Sequence, residues 1–166
     1  MRDNEILAYL AGLADGEAYI GIKKSKPYKN LTGRVNPGYH ERVQIRMVEE
    51  RAIKLFAQTF GGWYYREKPH SASGRPLYCY QASDLLASEI CRKLLPYLLV
   101  KKPAAEAVLL LRANKETAIR IKTSTKCRSR WGTEMSGQRS MHSPETIEIR
   151  ESLYLQCKSI NRVGAR

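Results

Sequence analysis

Two periods of apolar residues alternate along this chain, and the changes of period mark its elements. Asp3 or Asn4 can cap a helix that runs to about Asp15, with Leu7, Leu10, Leu13 and Ala14 available to a core. From Tyr19 to about Lys24 the period drops to two: Ile20 and Ile22 share one side, Tyr19, Gly21 and Lys23 the other. A loop rich in Pro, Gly and Asn, "KPYKNLTGRVNPGYH", separates this strand from "HERVQIRM", where Val43, Ile45 and Met47 face inward and His40, Arg42, Gln44 and Arg46 outward. Ile53, Phe56 and Phe60 then form a helical stripe over about residues 49–60, stopped by Gly61-Gly62. "WYYREK" and "PLYCYQ" flank the turn-rich "PHSASGR" and predict an antiparallel hairpin whose second strand is ambiguous in register by one residue. Ser83 or Asp84 can cap a helix ending near Pro96-Tyr97, and "KKPAAEAVLLLRAN" is a further helix with Pro103 in its first turn.

Composition shifts after that. Residues 118–142 hold Arg120, Lys122, Lys126, Arg128, Arg130 and Arg139 against one acid, Glu134, amid Ser, Thr and Gly. This predicts a basic loop that orders on a partner. Pro144 starts a last helix through about Ile160. The predicted order is α-β-β-α-β-β-α-α, then loop and helix: an α+β fold with four antiparallel strands and helices on one face of the sheet. The other face would carry Lys23, His40, Arg42, Gln44, Arg46, Arg66 and Lys68, with Arg75 nearby, the side-chain types that read base edges and hold phosphates. A merely solvated strand face has a similar pattern.

Charge narrows that choice. The 166 residues include 29 Lys and Arg against 16 Asp and Glu, a net +13, with a pI near 9.8. Such an excess suits a polyanion, most simply nucleic acid, although a basic soluble protein would share it. Cys79, Cys91, Cys127 and Cys157 are far apart, without ligand-spaced histidines, so buried thiols are expected rather than zinc. No apolar run is long enough for a bilayer, and Asp3 and Glu5 stand where a signal peptide wants positive charge. The expectation is a soluble intracellular chain without a membrane partner, in the cytoplasm, on the nucleoid or in an organelle. The length suits one domain.

The first helix carries the chemistry. Ala8, Ala11, Gly12 and Asp15 fall at i, i+3, i+4 and i+7 and share one side. Gly12 in mid-helix costs about 1 kcal/mol relative to Ala, so something should offset it. The stripe packs either on the chain's own sheet or on the same helix of a second copy about a two-fold axis. The second arrangement would bring two Asp15-Gly16-Glu17 ends together, where the negative ends of two helices favour a cation. A hard divalent ion takes carboxylate, carbonyl and phosphate oxygens, and two such ions suit attack and departure at a phosphodiester. The chemistry points to a nuclease.

The same residues resemble a known family. "LAGLADGEA", Leu10 to Ala18, is similar to the motif that names the LAGLIDADG homing endonucleases. "VQIRM…AIKLFAQTFGG" resembles the family's second strand and following helix, and "LLPYLLVKKPAAEAVLL" its Pro-aromatic-Leu…Lys-Lys segment. The similarity covers most of residues 5–112. It implies the αββαββα fold with a four-stranded saddle, residues 1–117 forming the endonuclease core and 118–166 the basic loop and C-terminal helix of the same domain. One motif per chain implies a homodimer joined through the motif helices at Ala8, Ala11, Gly12 and Asp15. The implied activity is cleavage of both strands of a long near-palindromic DNA site across the minor groove, leaving short 3′ overhangs, with Mg²⁺ as cofactor and Mn²⁺ as a substitute. Glu17 would be the metal-binding acid, assisted by the Gly16 carbonyl, with Asp15 structural rather than a ligand. Lys101, or failing it Lys102, would act on the attacking water and the developing charge. The DNA contacts would come from the strand residues above, with Arg128 and Arg130 adding backbone affinity. Two positions depart from the pattern: Ala18 replaces the final glycine, and Met47 stands where a polar residue often organises water. An inactive relative, serving as an intron-RNA maturase or a DNA-binding regulator, is the alternative.

Overall fold

The computed structural model describes residues 3–27, 29–30, 33–34, 36–68, 74–118, 120–128 and 134–163. In chain order the elements are α1 (Asp3–Glu17), β1 (Ala18–Lys24), β2 (Lys29–Asn30), β3 (Gly33–Arg34), β4 (Tyr39–Met47), α2 (Glu50–Phe60), β5 (Tyr64–Glu67), β6 (Leu77–Ser83), α3 (Asp84–Leu94), α4 (Lys102–Thr117), β7 (Arg120–Arg128), β8 (Glu134–His142) and α5 (Pro144–Val163). Four strands form an antiparallel sheet in the order β1-β4-β6-β5. With the small β2–β3 hairpin set aside, the first seven main elements run αββαββα, as expected, and a C-terminal helix follows.

Register assigns every strand residue to a face, because directly opposed residues in an antiparallel pair share a side. Ile20 opposes Val43, and Ala18 opposes Ile45, which in turn opposes Tyr80. All five are buried, together with Leu10, Ala14, Phe56, Ile90, Leu94 and Leu111 from the helices. Burying each Leu or Ile in this layer is worth roughly 1.5–3 kcal/mol, which fixes the sheet against the helices. Local chemistry sets the helix ends. The Glu49 carboxylate accepts the Arg51 N–H at 3.2 Å at the start of α2, and Gly61, at φ +79°, ends that helix by donating to the Ala57 carbonyl. Only glycine takes that backbone angle at little cost.

Three expectations change. The stretch expected to be a basic loop is instead a two-stranded ribbon, with β7 and β8 paired from Arg120↔His142 to Arg128↔Glu134. Composition alone hid it, because six basic residues amid Ser, Thr and Gly leave no apolar alternation strong enough to stand out. Within the loop between β1 and β4, β2 and β3 pair as a further short hairpin. The inner side of β4, expected to be apolar, includes Glu41, fully buried and in ion pairs with Arg112 and Lys115 of α4.

The C-terminal helix closes an exposed edge. Asn161 Nδ2 donates to the Ile20 carbonyl at 3.0 Å and to the Cys157 carbonyl at 2.9 Å. An edge strand left bare would offer its backbone to other chains. A Cβ at Gly21 would lie 2.8 Å from the Tyr19 hydroxyl and 3.2 Å from Asn161 Nδ2, so glycine permits this close approach. Glu151 anchors the same helix, accepting from Lys24 Nζ at 2.6 Å and from the Tyr39 hydroxyl. Cys79, Cys91 and Cys157 are buried free thiols, as expected; burial pushes Cys91 up to about 12 and Cys157 to about 11. No helix among the described residues is long and apolar enough to cross a membrane.

Candidate active site and nucleic-acid interface

Helix α1 runs straight into β1, so Asp15, Gly16 and Glu17 lie where the helix's last carbonyls lack partners of their own. The two acids have opposite fates. Both Asp15 carboxylate oxygens accept backbone N–H groups at 2.8 Å, from Leu99 and from Lys101. This clasp ties the end of α1 to the start of α4, and it commits Asp15 to the fold. Glu17 is exposed and makes no hydrogen bond or ion pair with any described residue.

Lys101 completes the corner. Its backbone is held by Asp15, and its Nζ donates to the Ala18 carbonyl. Burial lowers its pKa, with Asp15 and Glu17 pulling the other way. Glu17, Gly16, Ala18 and Lys101 line an open cleft of about 690 Å³, with Ser159 and Asn161 of α5 on its far wall. The α5 residues were not visible as site residues in the sequence, since nothing local tells which strand a distant helix will cover.

A hard divalent cation requires oxygen donors, and this corner offers the unpaired Glu17 carboxylate and the Gly16 carbonyl. Among the described residues no three His, Cys, Asp or Glu side chains gather at one point. The Glu17 and Gly16 oxygens are fewer donors than such an ion takes, so the corner would hold one only with further oxygen ligands from outside the described residues.

The α1 stripe splits between the two alternatives. Ala11 is fully buried inside the chain and so is not offered to a second copy, whereas Ala8 and Gly12 are exposed. Nothing lies within 4 Å of a Cβ built on Gly12, so no packing inside the chain offsets its helix cost. Leu99 and Val100, beside the Asp15 clasp, are exposed apolar residues at 85% and 66%.

The outer face of the sheet carries Tyr19 and Lys23 on β1, His40, Arg42, Gln44 and Arg46 on β4, Cys79, Gln81 and Ser83 on β6, and Tyr65 and Glu67 on β5. Arg42 donates to the Ser83 hydroxyl at 3.1 Å, and Gln44 to Cys79 Sγ at 3.4 Å. Arg46 pairs with Glu67, which holds that carboxyl below its usual range and the guanidinium above its own. The neighbouring Tyr65 is pushed up to about 12, by its hydrogen bond to Cys79 first and burial second. His40 Nδ1 lies 3.1 Å from Asp84, which also accepts from Lys115 at 3.0 Å. Burial would raise the Asp84 carboxyl, but Lys115 and His40 outweigh it and lower it. Asp84 itself has a positive φ of +54°, which Asp adopts more readily than most residues other than glycine.

The register also corrects the expected face. Arg66 opposes Tyr78 and therefore lies on the helix-facing side at the sheet edge, while Lys68 lies beyond the end of β5. On this strand the alternation runs one residue out of step with the expected one: Tyr65 and Glu67 occupy the places expected for Arg66 and Lys68. Arg75 is exposed just before β6. Arg128 is the last residue of β7, and Arg130 lies outside the described residues. Glu41, Glu67 and Asp84 are contributors that the sequence-based expectations missed. An acid at an inward strand position, with Arg112 and Lys115 three apart on a helix, was the signal available for Glu41.

No family model and no curated protein matches the chain. Solved structures do. The homing endonuclease I-CvuI, bound to its target with Ca²⁺, superposes with a TM-score of 0.53 at 19% identity over 69% of this chain and 70% of that one. The archaeal intron-encoded homing endonuclease I-Vdi141I, complexed with DNA, gives 0.54 at 12% over 69% and 71%. The LAGLIDADG homing endonuclease I-GzeII, in complex with its DNA target, gives 0.52 at 15% over 67% of this chain and 36% of its own. The fold is that of the LAGLIDADG homing endonucleases. In this chain α1 carries most of the LAGLADGEA stretch, and the Glu17 corner stands at its end.

Proposed function

We propose that this chain is a site-specific double-strand DNA endonuclease that acts as a homodimer with a divalent cation, Mg²⁺ or Mn²⁺. The observation that carries the proposal is the contrast at the end of α1: Asp15 is spent on two backbone N–H groups, while Glu17 is left unpaired in a cleft beside Lys101. The outer strand face supports the partner, since its Lys, Arg, His and Gln residues suit phosphates and base edges. So do the net charge of +13 and the DNA-bound endonucleases with which the fold superposes.

In this reading two α1 helices meet at Ala8 and Gly12 with Asp15 behind them, and residues 118–166 belong to the same domain as the core. The two-fold axis imposes a near-palindromic target. Glu17 and the Gly16 carbonyl would hold the cation, which would supply positive charge to polarise the scissile phosphate. Lys101, with its pKa lowered by burial, sheds its Nζ proton more readily than a solvated lysine and so can take one from the attacking water. While protonated, the same atom places positive charge beside the phosphate. Lys23, His40, Arg42, Gln44 and Arg46 make the DNA contacts from the sheet, and Arg128 adds backbone affinity.

A second reading, a DNA-binding regulator or intron maturase that does not cut, is favoured by Met47, which packs onto the core at the end of β4 instead of presenting a polar group. Selection of cleaved sites from a genomic duplex library, in Mg²⁺ or Mn²⁺ and again in EDTA, separates the two. Recovery of related, two-fold symmetric sites only with metal is expected. A protein that binds duplex but nicks none under any metal condition sinks the endonuclease and leaves the second reading.

A further inference from the structure

Ser83 and Asp84 stand where the sequence offers caps for α3, and neither serves as one. Ser83 holds the N-cap position without a side-chain hydrogen bond to the helix, and Asp84 follows it at a positive φ. A serine or aspartate cap ordinarily satisfies one of the free N–H groups at a helix start, so giving it up calls for a compensating role. Both side chains turn to the outer face of the sheet instead. The Ser83 hydroxyl accepts an N–H of Arg42, the β4 residue it directly opposes, at 3.1 Å. Asp84 Oδ1 lies 3.1 Å from His40 Nδ1. Lys115 braces Asp84 from behind at 3.0 Å, and its Nζ also pairs with the buried Glu41. A line of ionic contacts thus runs from the core out to His40. The other described charges facing the ring are Lys23, opposite it on β1, and Arg42, two residues further along β4.

Each contact dictates what its partner can offer a ligand. A carboxylate only accepts, so His40 Nδ1 carries the proton and, in the neutral ring, Nε2 is an acceptor. A Cβ on Gly38 would lie 2.8 Å from Nε2, so any side chain there would cover that nitrogen. Arg42 gives an Nη1 hydrogen to Ser83 and keeps the rest of its fork. In the major groove an acceptor matches the exocyclic amine of adenine or cytosine, and an arginine fork matches guanine O6 and N7. Residues two apart on a strand are separated by about 6.8 Å, roughly two steps along a DNA strand. We propose that Ser83 and Asp84 are positioning residues for sequence reading: they set Arg42 to select guanine and His40 to select adenine or cytosine within about two base pairs of it. The inference rests on the DNA-binding reading above.

The test is selection of bound sites by the full chain from a randomised DNA duplex library, at about pH 8 and in EDTA so that cleavage plays no part. Arg42→Ala and His40→Ala first mark the positions that each residue reads. Ser83→Ala is expected to lower the guanine preference about threefold at the Arg42 position, and Asp84→Ala to lower the adenine-or-cytosine preference about tenfold at the His40 position. Adding Asp84→Ala to His40→Ala should change base preference no further, which separates positioning from a general loss of structure. Asp84→Asn keeps the shape without the charge and should give a smaller loss at the same position, so the Asp84 half stays testable if the alanine variant unfolds. Variants that keep the wild-type base preferences, whatever their melting temperatures, make the pair a plain helix start and overturn the inference while leaving the DNA-binding reading intact. Marked positions that favour other bases overturn the base assignment. A wild-type chain that selects no sequence overturns the reading on which the inference rests.

Discussion

Two regions of this molecule bring carboxylates close to cations, and they resolve the charge in opposite ways. Between β4 and α4, Glu41 is wholly buried, and the chain supplies both of its partners, Arg112 at 3.1 Å and Lys115. At the end of α1, Glu17 is exposed, and Lys101, which lines the same cleft, gives its Nζ to a backbone carbonyl instead. A buried charge must be matched from within, because desolvation costs several kcal/mol per ion. An exposed one can be left open for a partner from outside. The difference separates an acid that the fold needs from an acid that the fold can spare.

Substitutions can break that contrast from either side. Glu17→Gln should cut cleavage by at least about a thousandfold while leaving the melting temperature and duplex binding near wild type; a parallel loss of stability would show that Glu17 belongs with Glu41 after all. Glu41→Gln leaves Arg112 and Lys115 facing a neutral amide, and a loss of roughly 3–5 kcal/mol is expected in urea unfolding, with Tm lowered by about 10 °C. Asp15→Asn keeps one acceptor oxygen for two backbone N–H groups and loses the charge, so about 1–3 kcal/mol should go, accompanied by slower cleavage as Lys101 loosens. Hydrogen exchange at the Leu99 and Lys101 amides would report the clasp directly.

The smallest effect belongs to an intermediate case. Glu151 is half-buried, and its carboxyl is held below the usual range, by the hydrogen bond from Lys24 first and that from Tyr39 second. A carboxyl depressed on folding contributes stability above its unfolded pKa and loses it as pH falls through the folded value. Glu151→Gln should therefore cost under about 1 kcal/mol at neutral pH, with the deficit shrinking toward zero in acid. Paired pH-dependent melts would reveal a deficit that does not vary with pH, and that result would rule out the ion pair as its source.

Much of this was legible before any coordinates. Periodicity located α1, β1, β4 and α2 because each buries one side, and burial is what writes a period into sequence. The Asp15-Gly16-Glu17 corner stood out because acids at a helix's negative end call for an explanation. Where burial is partial the pattern weakens. On β5, at the sheet edge, both faces are partly exposed, so Arg66 and Glu67 could exchange sides without disturbing a hydrophobic set. The ribbon lay beyond reach for a related reason, since its pairing is written in backbone hydrogen bonds rather than in apolar spacing. Glu41 was missed because its partners lie some seventy positions further along the chain.

The Asp15 clasp reaches further than the strength of its two hydrogen bonds. By tying the last turn of α1 to Lys101, the residue that caps α4, it makes Glu17 and Lys101 parts of one rigid corner. In the proposed dimer each corner would move as a block, with the spacing of acid and amine inside it unchanged. Only the gap between the blocks would be adjustable, so under that proposal a poorly fitting duplex would throw the two cuts out of step before it disabled either one.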